Sequence, residues 1–368
     1  MTYAGVGVNY DAMDPFKRAC QKAGHETANN IERLAGGEFC EYGESRGESC
    51  YLIEAAKNYF AHVEEGLGTK NLVADAMYTL TGRSYYDHIA QDTVAMIVND
   101  MVTIGALPLS VAMHLAVGSS DWFDDQQRSS DLVWGWKEAC NLARCVWGGG
   151  ETPTLKDIVM PGTIVLSGSA MGIVQPKERL ICADRICEGD VIAFLPASGI
   201  HANGLTLARR IAQDLEEGYL TDIGYGRSYG DALLAPTPIY VPVIDDILAA
   251  GVVPHYLVNI TGHGWRKLMR ATEPFAYVIE QIPEVPPVLK FIQEHGPVSM
   301  KESYGNFNMG AGFALYIAKA DVGAVAEIAL GHGMELFIAG SIWKRGEEKC
   351  VEILPKHLVY GSESLAVR

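Results

Sequence analysis

The sequence predicts an α+β protein of two successive domains, and three observations carry that prediction. Its 368 residues are enough for two ordinary domains with sizeable cores. Strand-like and helix-like stretches are mixed in both halves, without the regular strand–helix alternation of a doubly wound sheet. Midway, "QPKER" (175–179) breaks the pattern and reads as a hinge. The boundaries that follow are 1–175 for an N-terminal domain with a mixed sheet and 176–368 for an α+β C-terminal domain.

In chain order, residues 1–50 are polar and glycine-containing, which suits a mobile or loosely packed arm with one short helix at "DPFKRACQKAG". Over 84–106 apolar residues recur at three- and four-residue spacing, the signature of a helix. "LPLSVAMHLAVG" reads as a strand led in by proline, "SSDLVWGWKEACNLA" as a helix and "GTIVLSGSAMGIV" (162–174) as a strand. Beyond the hinge, "GDVIAFLPASG" is a strand that ends in a glycine turn. "NGLTLARRIAQDL" is a helix with Asn203 as its N-cap candidate, and "IYVPVIDDILAAG" is another helix. "NMGAGFALYIA" is a strand, "ADVGAVAEIALGHG" a helix, and one strand closes the chain.

Charge narrows the function. A formal net charge of −16 argues against nucleic acid or an anionic membrane as partner, since both call for basic stripes. A phosphorylated small molecule is still allowed, because local groups and metal ions hold it. The opening "MTYAGVGVNYDAMDPF" has no apolar signal segment, and the eight cysteines form no C-x-x-C pair. Scattered thiols in a large chain fit a reducing cytoplasm.

Three stretches carry chemistry. "HVEEGLGTK" (62–70) has the glycines, hydroxyl and lysine of a phosphate loop (Gly66, Gly68, Thr69, Lys70), yet Glu64 and Glu65 precede them. Those acids are compatible with phosphate if Mg²⁺ stands between, leaving Lys70 as a direct phosphate contact. In "AQDTVAMIVNDM", Asp92 and Asn99 lie seven residues apart and so share a helix face, with Asp100 beside them. They are either cap and surface acids or oxygen ligands for a hard cation. In "WGGGETPTL", Gly148–Gly150 permit a sharp bend or a close approach to ligand, and Glu151 and Thr152 present oxygens; an ordinary glycine turn is the alternative. Together Glu64, Glu65, Asp92, Asp100 and Glu151 would form an acidic pocket that only metal ions make tolerable.

"EEGLGTK", "AQDTVAMIVND", "GGET", "ASGIHANGLTLAR", "LLAPTPIYVPVI", "NITGHG" and "NFNMGAG" occur in the order and approximate spacing of phosphoribosylformylglycinamidine cyclo-ligase, and "AGVGVNYDA" is similar to that family's opening. The resemblance covers essentially the whole chain. It implies the aminoimidazole ribonucleotide synthetase-like fold and an ATP- and Mg²⁺-dependent ring closure in purine synthesis. It also implies a phosphoribosyl substrate and a homodimer paired through the N-terminal domains, with a K⁺ requirement left open. On it, His201, Lys70 and Asn203 are the catalytic candidates. The nucleotide-binding candidates are Glu65, Gly66, Gly68, Thr69, Lys70, Asn99, Gly149, Gly150 and Thr152, and the metal candidates are Glu65, Asp92, Asp100 and Glu151.

The chain departs from the family at Asn259 for histidine, His263 for glycine, Pro238 for arginine and Gly305 for arginine. A guanidinium fork is not replaced by proline or glycine, and His263, Arg266 and Lys267 are candidates to compensate. Another ATP-using enzyme of the superfamily with a different substrate is one alternative, and a non-catalytic nucleotide-binding homologue another.

Overall fold

The structure, a computed structural model, describes residues 5, 10–296 and 298–365. Most of the "AGVGVNYDA" opening lies outside the described residues. One sheet comprises β1 (Cys40–Glu41), β2 (Tyr51–Glu54), β3 (Tyr59–Gly66), β4 (Leu107–Val117), β5 (Val146–Glu151) and β6 (Ile164–Val174), in the order β1-β2-β3-β6-β4-β5. Its ladders are antiparallel except for β4 with β5. With it go helices α1 (Tyr10–His25), α2 (Asn71–Thr81), α3 (Tyr86–Met101) and α4 (Gln126–Leu142).

The second sheet comprises β7 (Val191–Pro196), β8 (Tyr256–Asn259), β9 (Ala276–Ile279), β10 (Ala311–Ile317), β11 (Phe337–Trp343), β12 (Cys350–Ile353) and β13 (Leu358–Gly361). They run in the order β13-β12-β9-β11-β7-β10-β8. Helices α5 (Leu205–Asp214), α6 (Tyr229–Leu233), α7 (Val241–Ala249), α8 (Pro287–His295), α9 (Met300–Asn306) and α10 (Val322–Gly331) accompany it. Mixed sheets with helices in both halves make this the expected α+β architecture.

The helix α3 is the axis of the molecule. From Asp92 to Met101 every residue is buried, because the helix lies between the first sheet on one side and α4 on another. A helix buried all round needs partners for each polar side chain it carries. Those partners come from the second half of the chain and build the site.

The first sheet buries one face only. Along β3, Tyr59, Ala61 and Val63 face α3, while His62 and Glu64 point the other way. On that outer face Val165 and Met171 of β6 are about half exposed.

Four expectations need correction. The acids of "EEGLGTK" end a strand, β3, rather than sit in a loop, because the backbone at 59–66 pairs residue by residue with β6. The "GGGE" stretch is likewise strand β5, laid parallel on β4, and not a turn. Glycine is needed there for proximity: a Cβ on Gly150 would lie 2.1 Å from the Met113 carbonyl oxygen. Asn203 does not cap α5; Gly204, at φ 86°, holds the N-cap position without a side-chain bond. Three strands rather than one close the chain, β12 adding in parallel to β9 and turning back as β13.

Candidate functional site

Lys70 ends the "EEGLGTK" segment with its side chain wholly enclosed. Its Nζ lies 2.7 Å from Asp92 Oδ2, itself wholly enclosed, and donates to the Ala235 carbonyl at 2.8 Å. Burial pulls the lysine pKa down and Asp92 pushes it back up. Asp92 Oδ1 accepts from the Thr237 backbone N–H at 2.8 Å and from the Thr237 hydroxyl. Asn99, one face with Asp92 as its spacing predicts, donates to the Pro238 carbonyl and accepts from the Tyr240 N–H, both at 2.9 Å. His88 and Gln91 of the same helix bond the Leu234 and Thr237 carbonyls.

The expected roles of these three residues change accordingly. In this structure Lys70, Asp92 and Asn99 bond segment 234–240 inside the protein, Lys70 and Asp92 also pair with each other, and none of the three lines the cavity between the halves. The buried backbone of "LAPTPIY" has lost its water and takes its partners from α3.

The open chemistry lies a few residues further on, in a cavity of about 480 Å³ between the halves. Glu65 from β3 and Asp100 from α3 line it together with Asn203, Thr261, His263, Lys267 and Arg270. Glu48 and Ser49 complete the wall, and Met13, Lys17 and Gln21 of α1 form one side. Asn259, which stands where the family has histidine, donates to Asp100 Oδ1 at 2.7 Å. Lys267 donates to the Asn259 carbonyl at 3.3 Å and to the Thr261 hydroxyl. Arg270 is braced by the Gly47 carbonyl and by Ser49 Oγ at 2.6 Å.

Burial and, next to it, the negative charge of Asp100 push the Glu65 carboxyl up to about 7. Two carboxylates lining one cavity suit a divalent cation, which needs only one or two of them when phosphates supply further oxygens. Lys267, pulled down by burial and held up by Asp100, adds positive charge to the same wall. The donor set therefore fits Mg²⁺ with a phosphorylated ligand.

Glu151 does not join this group. The ladders align Gly66, Ser167, His114 and Glu151 across β3, β6, β4 and β5, three strand spacings or about 14 Å apart end to end. Glu65 lies one residue from Gly66, so it points to the opposite sheet face from Glu151. Gly149, Gly150 and Thr152 share this far, exposed edge. Among the described residues, the compact set of three metal-type ligands is Glu348, Cys350 and Glu352 at the start of β12, where Arg345 already pairs with Glu352 at 2.6 Å. The single acidic pocket anticipated from sequence thus separates into the Glu65–Asp100 pair, an internal Asp92 and a distant Glu151.

Gly68, at φ 75°, brings the end of "EEGLG" against the Ala202 carbonyl, so Gly66, Gly68 and Thr69 adjoin loop 198–204. On that loop His201 is buried at φ 60°; its Nε2 accepts from the Ser198 N–H at 3.4 Å and its Nδ1 has no hydrogen-bond partner. Asn203 turns its amide toward Met96 Sδ at 3.8 Å and reaches the cavity. Of the candidates to replace the missing arginines, Arg266 is consumed internally by Gly305, Asn306 and Ser364. Lys267 does face the cavity. Arg270 and Lys17 were missed as site residues; Lys267 and Arg270 at i, i+3 and Met13, Lys17, Gln21 at four-residue steps were the available signals.

Burial, followed by nearby cations, pushes His201 and His263 down to about 3. Both are therefore neutral in the fold, while the unfolded chain protonates them near 6.5. Below that pH the unfolded state binds more protons, so each histidine removes about 1.4 kcal/mol of stability per unit of falling pH. Glu65, raised rather than lowered, works in the opposite sense between about 7 and 4.5. The expected net result is a fall of about 1.4 kcal/mol per unit from these three groups between pH 6.5 and 4.5. Urea unfolding at pH 6.5 and 5.0 checks the histidine part: His201→Gln should flatten the slope by about one histidine's share. An unchanged slope would exclude a neutral His201.

Two mixed sheets with helices, and a cavity between the halves lined by carboxylates and cations, describe a class of α+β nucleotide-type fold whose family the relatives supply. Residues 47–174 match the family described as AIR synthase related protein, N-terminal domain. The chain is 34% identical over 345 residues to phosphoribosylformylglycinamidine cyclo-ligase of Methanococcus vannielii, covering 93% of this chain and 92% of that one. It is 33% identical over 364 residues to the enzyme of the same name from Carboxydothermus hydrogenoformans, covering 95% and 98%. T. maritima PurL complexed with ATP shares the fold at a TM-score of 0.56 and 12% identity, covering 93% of this chain and 52% of that one. The chain belongs to the phosphoribosylformylglycinamidine cyclo-ligase family.

Proposed function

We propose that this protein catalyses ATP-dependent closure of formylglycinamidine ribonucleotide to aminoimidazole ribonucleotide, a step of purine synthesis. The observation that carries the reading is the cavity where Glu65 and Asp100 meet Lys267 and Arg270, in a chain of which 93% to 95% aligns with enzymes of that name. Transfer of the γ-phosphoryl group of ATP to the amide oxygen gives an iminophosphate. The amidine nitrogen then attacks the same carbon and inorganic phosphate leaves. The protein's task is mainly positioning and charge neutralisation.

Glu65 and Asp100 would hold Mg²⁺, whose contribution is to neutralise phosphate charge. Lys267 and Arg270 supply the positive charge for phosphate that Pro238 and Gly305 cannot. Asn203 orients the substrate. Neutral His201 accepts at Nε2 and therefore carries its proton on Nδ1, from which it is suited to donate a hydrogen bond. Gly66, Gly68 and Thr69 carry the backbone that approaches the nucleotide. In this reading residues 1–175 bind nucleotide and metal and residues 176–368 complete the site. The half-exposed Val165 and Met171 on the uncovered face of the first sheet support a homodimer formed there, and we place the enzyme in the cytoplasm.

One preparation tests both parts. With ATP, Mg²⁺ and formylglycinamidine ribonucleotide, ADP and aminoimidazole ribonucleotide should appear one for one, and sedimentation should give twice the 39.9 kDa chain mass. Bound Mg²⁺-ATP without product would move the activity to another acceptor. A 40 kDa species at micromolar concentration would remove the dimer.

A further inference from the structure

Two of the eight cysteines, separated by four residues, are brought together by the way α4 ends. Arg144 adopts φ 55°, its N–H donates to the Asn141 carbonyl at 3.1 Å, and the Cys145 N–H donates to the Cys140 carbonyl at 3.0 Å. These bonds and the left-handed residue define a Schellman motif, with Cys140 at the third position from the helix end and Cys145 as the second residue beyond the C-cap, Ala143. In that motif the side chains at those two positions frequently pack together. Here both are thiols.

The surroundings differ between them. Cys140 is buried under the helix, whereas Cys145 is partly exposed where the chain enters β5. Between them Arg144 reaches across to α7, its guanidinium 2.6 Å from both Asp245 and Asp246. The neighbouring thiols shift one another, Cys145 downward and Cys140 upward. The accessible sulfur is therefore also the better nucleophile.

We propose that Cys140 and Cys145 form a redox-active dithiol that closes to an intramolecular disulfide by exchange with a low-molecular-weight disulfide. The Cys145 thiolate attacks one sulfur of the small disulfide, forming a mixed disulfide and expelling one thiolate. Cys140 then gives up its proton and attacks Cys145 Sγ, expelling the second. Two protein thiols are oxidised, and the small disulfide is reduced to two thiols that take up the two protons the cysteines give up. The new bond ties the entry of β5 to the end of α4 and fixes Arg144 between them.

The test uses the whole reduced protein with oxidised glutathione, quenched by maleimide and digested with trypsin. Cleavage after Arg144 puts the two cysteines on separate peptides, so a disulfide appears as a linked pair. The linked 138–144/145–156 pair is expected before any other cysteine is modified. In Cys140→Ser, glutathione should remain attached at Cys145; in Cys145→Ser, Cys140 should stay unmodified. If the wild-type protein keeps both thiols free while Cys20 or Cys187, the exposed cysteines, are already glutathionylated, the proposal fails. It fails equally if folded Cys140→Ser carries no adduct at Cys145.

Discussion

Lys70→Met is expected to destabilise the fold by about 3–5 kcal/mol, because it strands the Asp92 carboxylate in a water-free interior. The pair is fully enclosed, and Lys70 also satisfies the Ala235 carbonyl. The control is the double substitution Lys70→Met with Asp92→Leu, which removes both charges at once. A buried pair replaced by apolar residues of similar size is often tolerated, so the double variant should lose less than Lys70→Met alone, even though Thr237 loses its acceptor. Urea unfolding of the four proteins completes the cycle. Should Lys70→Met unfold within about 1 kcal/mol of the parent, the enclosed ion pair is not what holds segment 234–240 to α3.

Asp100→Asn is expected to lower kcat/KM by about 10²-fold or more while leaving stability nearly unchanged. Asn259 donates to Asp100 Oδ1, and an asparagine there still offers an oxygen to accept that bond. What disappears is the negative charge facing Glu65 and Lys267. With one carboxylate left, half-saturation should require more Mg²⁺, and raising Mg²⁺ should recover part of the rate. Activity within threefold of the parent at limiting Mg²⁺ would take Asp100 out of the metal site. The same substitution made at Glu65 should behave alike, since the two acids share one cavity wall.

How much of this was legible in the sequence can be judged residue by residue. The helix at 84–106 was readable from its spacing, and so was the shared face of Asp92 and Asn99. The strands at 107–117 and 164–174 also followed from local pattern. Strand β3 was obscured because its last residues are acids and a glycine, which by themselves favour a loop. In the fold, pairing with β6 supplies the missing preference. The same holds for β5, where three glycines read as a turn until β4 lies beside them, so close that Gly150 has no room for a side chain.

The sequence alone determined the two-domain α+β class, the family and the short inventory of acids, lysines and histidines from which the site is drawn. Seven co-linear motifs are enough for that, because each constrains chemistry locally. Tertiary structure decided which of those residues face a ligand and which face each other. Lys70 meets a carbonyl 165 positions away and Asp100 an amide 159 positions away. An acid seven or eight residues along a helix has the same local pattern whether it ends against a lysine or a cavity. Packing partners separate the two outcomes: Asp92 is paired with Lys70 inside the protein, while Asp100 lines the cavity.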